Sequence, residues 1–276
     1  INSVVVFSGA VCNIPLVHPL TPRFHNLDHI GGNMANNPLV GAWERVSDSS
    51  VGVLIYTGSH YAAVMAPKDR QRSSGERATP DEALEALLSC PALAGTYTLS
   101  GSRITQVRES NTRPELSKLS AVFDYTIDGD TMTQTVVSGT GGAAASGSSL
   151  TFRRIPGSDT GSPLVGAWEM VDDTEQGVII FTGTHHAVVR MHKERDLPKG
   201  EQYTPEEALT ALYTSGAQAG PYTLSGTTLT LERTAHLRPE RVGENAVLEV
   251  AVEGDTLKTR AVSGLSVSDV TWRKVS

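Results

Sequence analysis

The sequence predicts an all-β protein made of two tandem eight-stranded antiparallel barrels, each with one short helix. Three observations support this fold class. The hexapeptide PLVGAW occurs at 38–43 and again 125 positions later, at 163–168. Eight short segments rich in β-branched and aromatic residues follow one another in the first copy, separated by turn residues. A single helix-start pattern interrupts them at the same place in both copies.

The repeat extends well beyond the hexapeptide. TPDEALEAL at 79–87 matches TPEEALTAL at 204–212, and YTLSG at 97–101 recurs at 222–226, with the same offset. A period this long indicates two duplicated domains rather than a solenoid of short units. The predicted organisation is an N-terminal extension and two barrels, with boundaries at 1–36, 37–156 and 162–276.

The helix is predicted by a capping box. Thr79 is a suitable N-cap, Pro80 suits the first helical position, and Glu82 can close the box onto Thr79. Thr204 and Glu207 repeat the pattern in the second copy. Eight antiparallel strands with short connections favour a closed up-and-down barrel, whose interior can hold one small ligand.

Composition excludes several classes of function. The net charge is −7 and no basic cluster occurs, so no nucleic-acid partner is predicted. No apolar run reaches the roughly 20 residues that a membrane-spanning helix needs. Neither a GxGxxG nor a Walker loop is present, and we expect no cofactor. Cys12 and Cys90 are interpreted as reduced thiols of a cytoplasmic protein, with a bridge between them left open.

The first 36 residues lie outside the repeat. The segment VVVFSGAV at 4–11 lacks a basic leading region and an Ala-x-Ala site, so no signal peptide is predicted. Met34 is a candidate natural start, which would make the preceding residues a leader or a non-native segment. His25 and His29 are spaced for one helix face, but two histidines form an incomplete ligand set, and no metal site is predicted.

Both copies open with Gly-Ala-Trp and carry an arginine in the last strand: Gly41–Trp43 with Arg153, and Gly166–Trp168 with Arg273. This arrangement resembles the signature of lipocalins, and the short copies with a Thr-Pro-acid helix resemble the bacterial and fungal lipocalin-like domain family. The resemblance covers about 240 residues. It implies that the tryptophan plugs the closed end of the barrel and that the arginine packs across it. A ligand-stacking role for the indole is the alternative.

Strand alternation divides HYAAVMA at 60–66 into two faces. We expect the face of His60, and the matching face of His185, to point into the barrel, because both are apolar with one histidine at the end. A register error of one residue would instead place His186, Arg190 and His192 inside.

The predicted cavities are mostly aliphatic with a few polar groups, which is typical of a small-molecule site. The candidate ligand-binding residues are His60, Tyr97, Gln106, Arg108, Tyr125, His186 and Arg190, and the candidate catalytic residues are His185, Tyr222, Arg233 and His236. Each has a structural alternative. The strand histidines would cap a turn, the tyrosines would make a structural hydrogen bond, the arginines would be exposed, and His236 would be a solvated loop residue.

The expected function is that of a cofactor-free enzyme of the isomerase, cyclase or hydratase type, acting on a small hydrophobic molecule. Imidazole would transfer a proton, Arg233 would stabilise an enolate or carboxylate, and Tyr222 would donate to a carbonyl oxygen. The second barrel is the predicted site, because it has more histidines than the first. The alternative is a carrier of a hydrophobic ligand. The two barrels are expected to pack as a pseudo-dimer, and a homodimer is left open.

Overall fold

A computed structural model describes residues 37–139, 145–157, 161–264 and 269–276. In these residues each copy of the repeat forms a closed antiparallel barrel, which confirms the all-β prediction. No helix in the described residues has the length and apolar character to cross a bilayer. The expectations for Cys12, His25, His29 and Met34 fall outside the described residues.

The first barrel has eight strands in sequential order, closed by pairing of the first with the last. They are β1 (Gly41–Arg45), β2 (Ser50–Tyr56), β3 (His60–Pro67), β4 (Ala92–Ser100), β5 (Arg103–Asn111), β6 (Ser120–Asp128), β7 (Thr131–Ser138) and β8 (Ser149–Arg154), with helix α1 (Pro80–Ser89) between β3 and β4.

The second barrel repeats this order, except that its fifth strand is divided into two pieces. The elements are β9 (Gly166–Met170), β10 (Glu175–Phe181), β11 (His185–His192), α2 (Pro205–Tyr213), β12 (Ser215–Ser225), β13 (Thr228–Glu232), β14 (Ala235–His236), β15 (Asn245–Glu253), β16 (Thr256–Ser263) and β17 (Asp269–Lys274). Pairing of β9 with β17 and of β11 with β12 closes the sheet, while β13 and β14 both pair with β12.

Both helices begin as the sequence predicts. The Thr79 side chain accepts from the backbone N–H of Glu82, and the Glu82 carboxylate accepts from the N–H of Thr79. Thr204 and Glu207 form the same reciprocal pair. These bonds satisfy donors that a helix start otherwise leaves unpaired.

Backbone conformation explains the glycine of the Gly-Ala-Trp motif, and packing explains its tryptophan. Gly41 and Gly166 adopt φ of 126° and 128°, a region that favours glycine, and a Cβ at Gly166 would collide with the carbonyl oxygen of Ser276. Trp43 and Trp168 are fully buried. Their indole Nε1–H groups donate to the carbonyls of Leu39 and Leu164, each at 2.7 Å.

The basic residue over each indole is not the expected arginine. The guanidinium of Arg154 lies 4.1 Å from the Trp43 ring centroid, and the ammonium of Lys274 lies 5.2 Å from that of Trp168. Arg153 and Arg273 point outward from the preceding positions and pair with glutamates. Successive residues of a strand face opposite sides of the sheet. The basic residue one position later than the predicted arginine therefore packs on the indole, and the predicted arginine is exposed.

A third apolar core lies between the two barrels. It combines small residues of both copies, including Ala42, Ala62, Ala167 and Ala187, with buried faces of α1 and α2. The two helices also contact each other. Cys90 is a buried free thiol in this core, and burial raises its pKa to about 11. Small side chains allow the barrel walls to approach closely.

Two equivalent arginines hold the barrels together reciprocally. Arg70 of the first copy donates to the carbonyls of His236 and Leu237, at 2.6 and 2.7 Å. Arg195 of the second copy donates to the carbonyls of Asn111 and Thr112, at 2.7 and 3.0 Å. Each position is related to its equivalent by the repeat offset, so the contact is isologous, as in a twofold dimer. The predicted pseudo-dimeric packing agrees with these contacts.

The predicted facing of β3 and β11 is wrong. Ala62 and Val64 belong to the core between the barrels, while Tyr61 and Ala63 pack inside the first barrel with Trp43. The same holds in the second copy, where Val188 packs on the interior cluster of that barrel. Both faces of these strands are buried, so apolar character alone does not distinguish the interior from the interface.

Candidate functional site

Each barrel contains a cavity, and the larger one is in the second barrel. Its volume is about 250 Å³, against about 110 Å³ for that in the first barrel. The larger cavity is lined by Ile179, Val188, Arg190, Gly216, Ala217, Gln218, Leu229, Leu231, Arg233, His236, Arg238, Arg241, Leu248, Thr259, Gly264, Val270 and Trp272. The walls are thus mainly aliphatic, and the polar groups converge from β11, β12, β14 and the loop after it.

Arg233 is the central polar residue of this cavity. Only 2% of it is exposed. Its Nε donates to Gln218 Oε1 at 2.8 Å, and its Nη2 donates to the Gly264 carbonyl. Its Nη1 has no hydrogen-bond partner within the described residues, and the nearest carboxylate oxygen, on Glu244, is 3.7 Å away. The guanidinium is therefore fixed on two sides and keeps one buried, unbonded donor.

The cavity as a whole is positively charged. Arg190, Arg233, Arg238 and Arg241 line it, and no carboxylate is among the described residues that do so. Arg190 and Arg241 are paired outside the cavity, with Glu175 at 2.7 Å and Glu244 at 3.0 Å. Burial lowers the pKa of Arg233 to about 10, which leaves it charged at neutral pH. Guanidinium groups of this kind pair with negatively charged groups and other hydrogen-bond acceptors.

His186 lies inside the barrel but does not line the cavity. It is fully buried, and burial lowers its pKa to about 3. Its Nε2 is 3.5 Å from Gln218 Nε2, and since Gln218 Oε1 accepts from Arg233, the amide nitrogen faces the ring. The imidazole is therefore neutral, with Nε2 next to the Gln218 amide nitrogen, while Nδ1 has no hydrogen-bond partner among the described residues. It supports Gln218, which in turn orients Arg233.

His236 accepts a hydrogen bond that holds a turn, and it also lines the cavity. Its Nδ1 accepts the backbone N–H of Arg238 at 2.9 Å, and burial holds its pKa well below the usual value. The ring is thus neutral and carries its proton on Nε2, at the cavity wall. In the first copy Asn111 Oδ1 accepts the N–H of Arg113 at the same distance, 2.9 Å. The turn therefore needs an acceptor, whereas the Nε2–H group is specific to the second barrel.

The first barrel keeps the arginine and its bond to a glycine carbonyl, but not the glutamine and glutamate that accompany Arg233. Arg108 is 2% exposed, and its Nη2 donates to the Gly139 carbonyl. Its Nε and Nη1 have no hydrogen-bond partner in the described residues. The positions of Gln218 and Glu244 are occupied by Leu93 and Leu119. The smaller cavity is more neutral, since Arg108 is its only arginine among the described lining residues.

Two other predicted residues of the first barrel, Gln106 and Tyr97, make hydrogen bonds within the barrel, and Gln106 also lines its cavity, as predicted. Gln106 and Gln134 both donate to the Tyr56 hydroxyl, at 2.6 and 2.9 Å. Tyr97 donates to the Thr57 carbonyl at 2.6 Å, and the equivalent Tyr222 donates to the Thr182 carbonyl at 2.7 Å.

These tyrosine bonds agree with the structural alternative for Tyr97 and Tyr222, whose hydroxyls close a turn in each barrel. Tyr125 is partly buried against the interior of the first barrel but does not line its cavity. These three tyrosines are therefore not brought to either cavity.

His60 and His185 lie outside both cavities, contrary to the prediction. Each ring is bonded through Nδ1 to the preceding hydroxyl, Ser59 at 2.8 Å and Thr184 at 3.0 Å. Both rings lie near a glutamate of the other barrel, and burial lowers both pKa values. The predicted catalytic set is thus divided: Arg233 and His236 line one cavity, while His185 and Tyr222 do not.

Sequence reasoning missed Gln218, Arg238 and Arg241. Arg238 precedes and Arg241 ends a short 3₁₀ turn, Pro239–Arg241, which comes after a strand of only two residues, and periodicity detects neither element. A comparison of the copies carries a signal, because Gln218, Glu244 and His236 replace Leu93, Leu119 and Asn111. Because the two copies share one fold, such substitutions indicate where the interiors of the two barrels differ.

Fold and site together define a tandem-barrel protein with one cavity in each barrel. No protein-family model matches the chain. The search of curated proteins found no match either. The uncharacterized protein YLR301w of Saccharomyces cerevisiae is similar in structure, with 13% identity, coverage of 86% of this chain and 98% of that chain, and a TM-score of 0.41. The DNA polymerase III beta subunit of Thermotoga maritima gives 7% identity, coverage of 88% and 58%, and a TM-score of 0.14. Likeness at this level supports no conclusion about function.

Proposed function

We propose that the second barrel binds a small, mainly apolar molecule that carries a carboxylate. The observation that supports this most directly is the set of four arginines, among them the buried Arg233 with an unbonded Nη1, that lines an aliphatic cavity without a lining carboxylate among the described residues. A buried guanidinium without a full set of acceptors is costly, and a ligand carboxylate would supply them. The resemblance to lipocalin-like domains suggests a small hydrophobic ligand.

The size of the cavity limits the ligand. A volume of about 250 Å³ is slightly below the usual range for drug-sized molecules, which begins at roughly 300 Å³. An eight-carbon carboxylate is a suitable probe. Its chain would contact Leu229, Leu231 and Leu248, and its carboxylate would pair with Arg233.

The test compares octanoate with octanol by isothermal titration calorimetry. Octanoate is expected to bind the wild-type protein at least about 10-fold more tightly, because a charge-assisted hydrogen bond contributes about 1.5–3 kcal/mol. Arg233→Met should remove this preference. Arg108→Met is the matched control and should keep it. Equal affinity for acid and alcohol in the wild type would contradict the proposal, as would an unchanged preference in Arg233→Met.

Catalysis is a second candidate function, favoured by one observation. His236 holds a neutral Nε2–H at the wall of the cavity that contains Arg233. A neutral imidazole and a guanidinium can together polarise a carbonyl and stabilise an enolate, as an isomerase, cyclase or hydratase requires. Neither step needs a cofactor.

His236→Asn separates the two functions. Asn111 shows that asparagine keeps the acceptor for the turn, so the variant should fold normally and lose only the Nε2–H donor. The ligand that co-purifies with the protein is to be identified by native mass spectrometry and its conversion followed by chromatography. Catalysis predicts that His236→Asn binds this molecule but converts it at least about 100-fold more slowly. Absence of conversion by the wild type would leave binding as the function.

A further inference from the structure

The contact between the barrels contains a cluster of three side chains that the cavity does not use. His60 and Glu109 belong to the first copy and Glu169 to the second. His60 Nε2 and one carboxylate oxygen from each glutamate all lie within 4.8 Å of one another. His60 Nε2 and Glu169 Oε1 are 3.8 Å apart.

We propose that these three residues form a binding site for a divalent transition-metal ion, with Zn²⁺ as the probe. One imidazole and two carboxylates are suitable zinc ligands, and three protein ligands leave one position open. Donor atoms of a tetrahedral zinc site are roughly 3.3 Å apart, given metal–ligand distances near 2.0–2.1 Å. The present separations require convergence of about 1 Å or somewhat more, which rotation of two flexible glutamate side chains provides.

Every proposed ligand is held by an outer hydrogen bond. His60 Nδ1 is bonded to Ser59 Oγ at 2.8 Å, Thr96 Oγ1 donates to Glu109 Oε1 at 3.2 Å, and Arg273 Nη2 lies 3.4 Å from Glu169 Oε2. Metal ligands typically have such outer partners, which fix the ring tautomer and the carboxylate orientation.

The His60 ring points at the cluster with a free nitrogen. Its side chain is 8% exposed, and Nε2 makes no hydrogen bond within the described residues, since Glu169 at 3.8 Å is too distant. A mostly buried imidazole with an unbonded nitrogen next to two carboxylates is suited to hold a ligand between them.

The repeat supplies an internal comparison. The equivalent residues on the other side of the contact are His185, Thr234 and Glu44, so the position of Glu109 holds no carboxylate there. Glu232 acts electrostatically on His185, but among the described residues no three such groups lie within 4.8 Å of one another on that side. Thr234 instead donates to the Ala219 carbonyl at 3.2 Å, and Glu44 is engaged by Arg153 at 2.5 Å. The proposed site is therefore single, although the contact around it is pseudo-symmetric.

The experiment is a zinc titration of the full chain after chelator treatment, followed by calorimetry and by metal analysis after gel filtration. One equivalent of Zn²⁺ is expected. Glu109→Thr introduces the residue found at the equivalent position of the second copy, Thr234. It should weaken zinc binding more than about 100-fold, because loss of a ligand costs more than loss of an outer hydrogen-bond partner. His60→Gln should do the same. His185→Gln and Glu44→Gln are the matched controls and should leave affinity unchanged.

Absence of zinc binding in the wild type would overturn the proposal, as would equal affinity in Glu109→Thr and His60→Gln. So would loss of binding in the two control variants, because that would place the site elsewhere. None of these residues lines the cavity of the second barrel, so the outcome does not depend on the proposed ligand function.

Discussion

Arg108 and Arg233 occupy equivalent places, but their surroundings give them different energetic roles. Arg233 is bonded to Gln218 and Gly264 and lies near Glu244, whereas Arg108 has two unbonded donors in the described residues. Replacing a buried, poorly compensated charge by an apolar side chain is often neutral or stabilising. Removing a well-bonded one leaves its partners unpaired.

We therefore expect opposite effects on stability from one substitution made in the two barrels. Arg108→Met should leave the free energy of unfolding unchanged or raise it by about 1 kcal/mol. Arg233→Met should lower it by about 1–3 kcal/mol, because Gln218 Oε1 loses its donor. Urea denaturation at pH 7 without ligand measures both. A larger loss for Arg108→Met than for Arg233→Met would contradict this account.

His186 should make the protein acid-labile. Its folded pKa is about 3, against 6.5 for the free side chain, so the unfolded state binds one more proton at intermediate pH. The stability that depends on the neutral ring is complete above pH 6.5 and is lost as the pH falls towards 3. Between pH 7 and pH 5 the loss amounts to about 2 kcal/mol from this one residue.

Replacing His186 by glutamine should remove that part of the pH dependence. The measured quantity is the difference in unfolding free energy between pH 7 and pH 5, which cancels any pH-independent cost of the substitution. This difference is expected to be about 2 kcal/mol smaller in His186→Gln than in the wild type. An unchanged difference would show that His186 is protonated in the folded protein.

Strands β1 and β9 owe their position to the tryptophan that each contributes. Trp43 and Trp168 are fully buried, are bonded through Nε1 to a carbonyl four residues earlier, and line neither cavity. Trp43→Ala and Trp168→Ala should each lower the free energy of unfolding by about 3–5 kcal/mol, the usual cost of a large cavity. Thermal denaturation measures this. A variant of normal stability that has lost octanoate binding would indicate a ligand-stacking indole instead.

We expect the core between the barrels to make the two barrels a single folding unit. Both barrel walls and both helices bury apolar side chains in that one core, and the paired Arg70 and Arg195 contacts span it. Separating the barrels would expose the core to water, so unfolding of one barrel should destabilise the other.

The three tryptophans allow this coupling to be measured. Trp43 reports on the first barrel, and Trp168 and Trp272 report on the second. Trp43→Phe keeps only the two tryptophans of the second barrel. The double variant Trp168→Phe/Trp272→Phe keeps only Trp43 of the first barrel. Within each variant, the fluorescence transition in urea should coincide with the transition followed by circular dichroism. Two separated transitions in either variant would show that the barrels unfold independently.

The sequence by itself determined the duplication, the strand count, the capped helices and the structural tryptophans. These features are local or periodic, so spacing and turn residues are sufficient to predict them. It also indicated Arg233 and His236 of the second barrel as site residues, although their roles stay predictions.

Only the tertiary structure decided which face of β3 and β11 lies inside. Both faces are apolar because one fills a barrel and the other packs against the second barrel, and strand alternation cannot rank two buried faces. For the same reason His60 and His185 were expected in the cavities but lie at the contact between the barrels. The partners of Arg233 also come from distant segments, since Gln218 and Gly264 meet it only when the barrel closes.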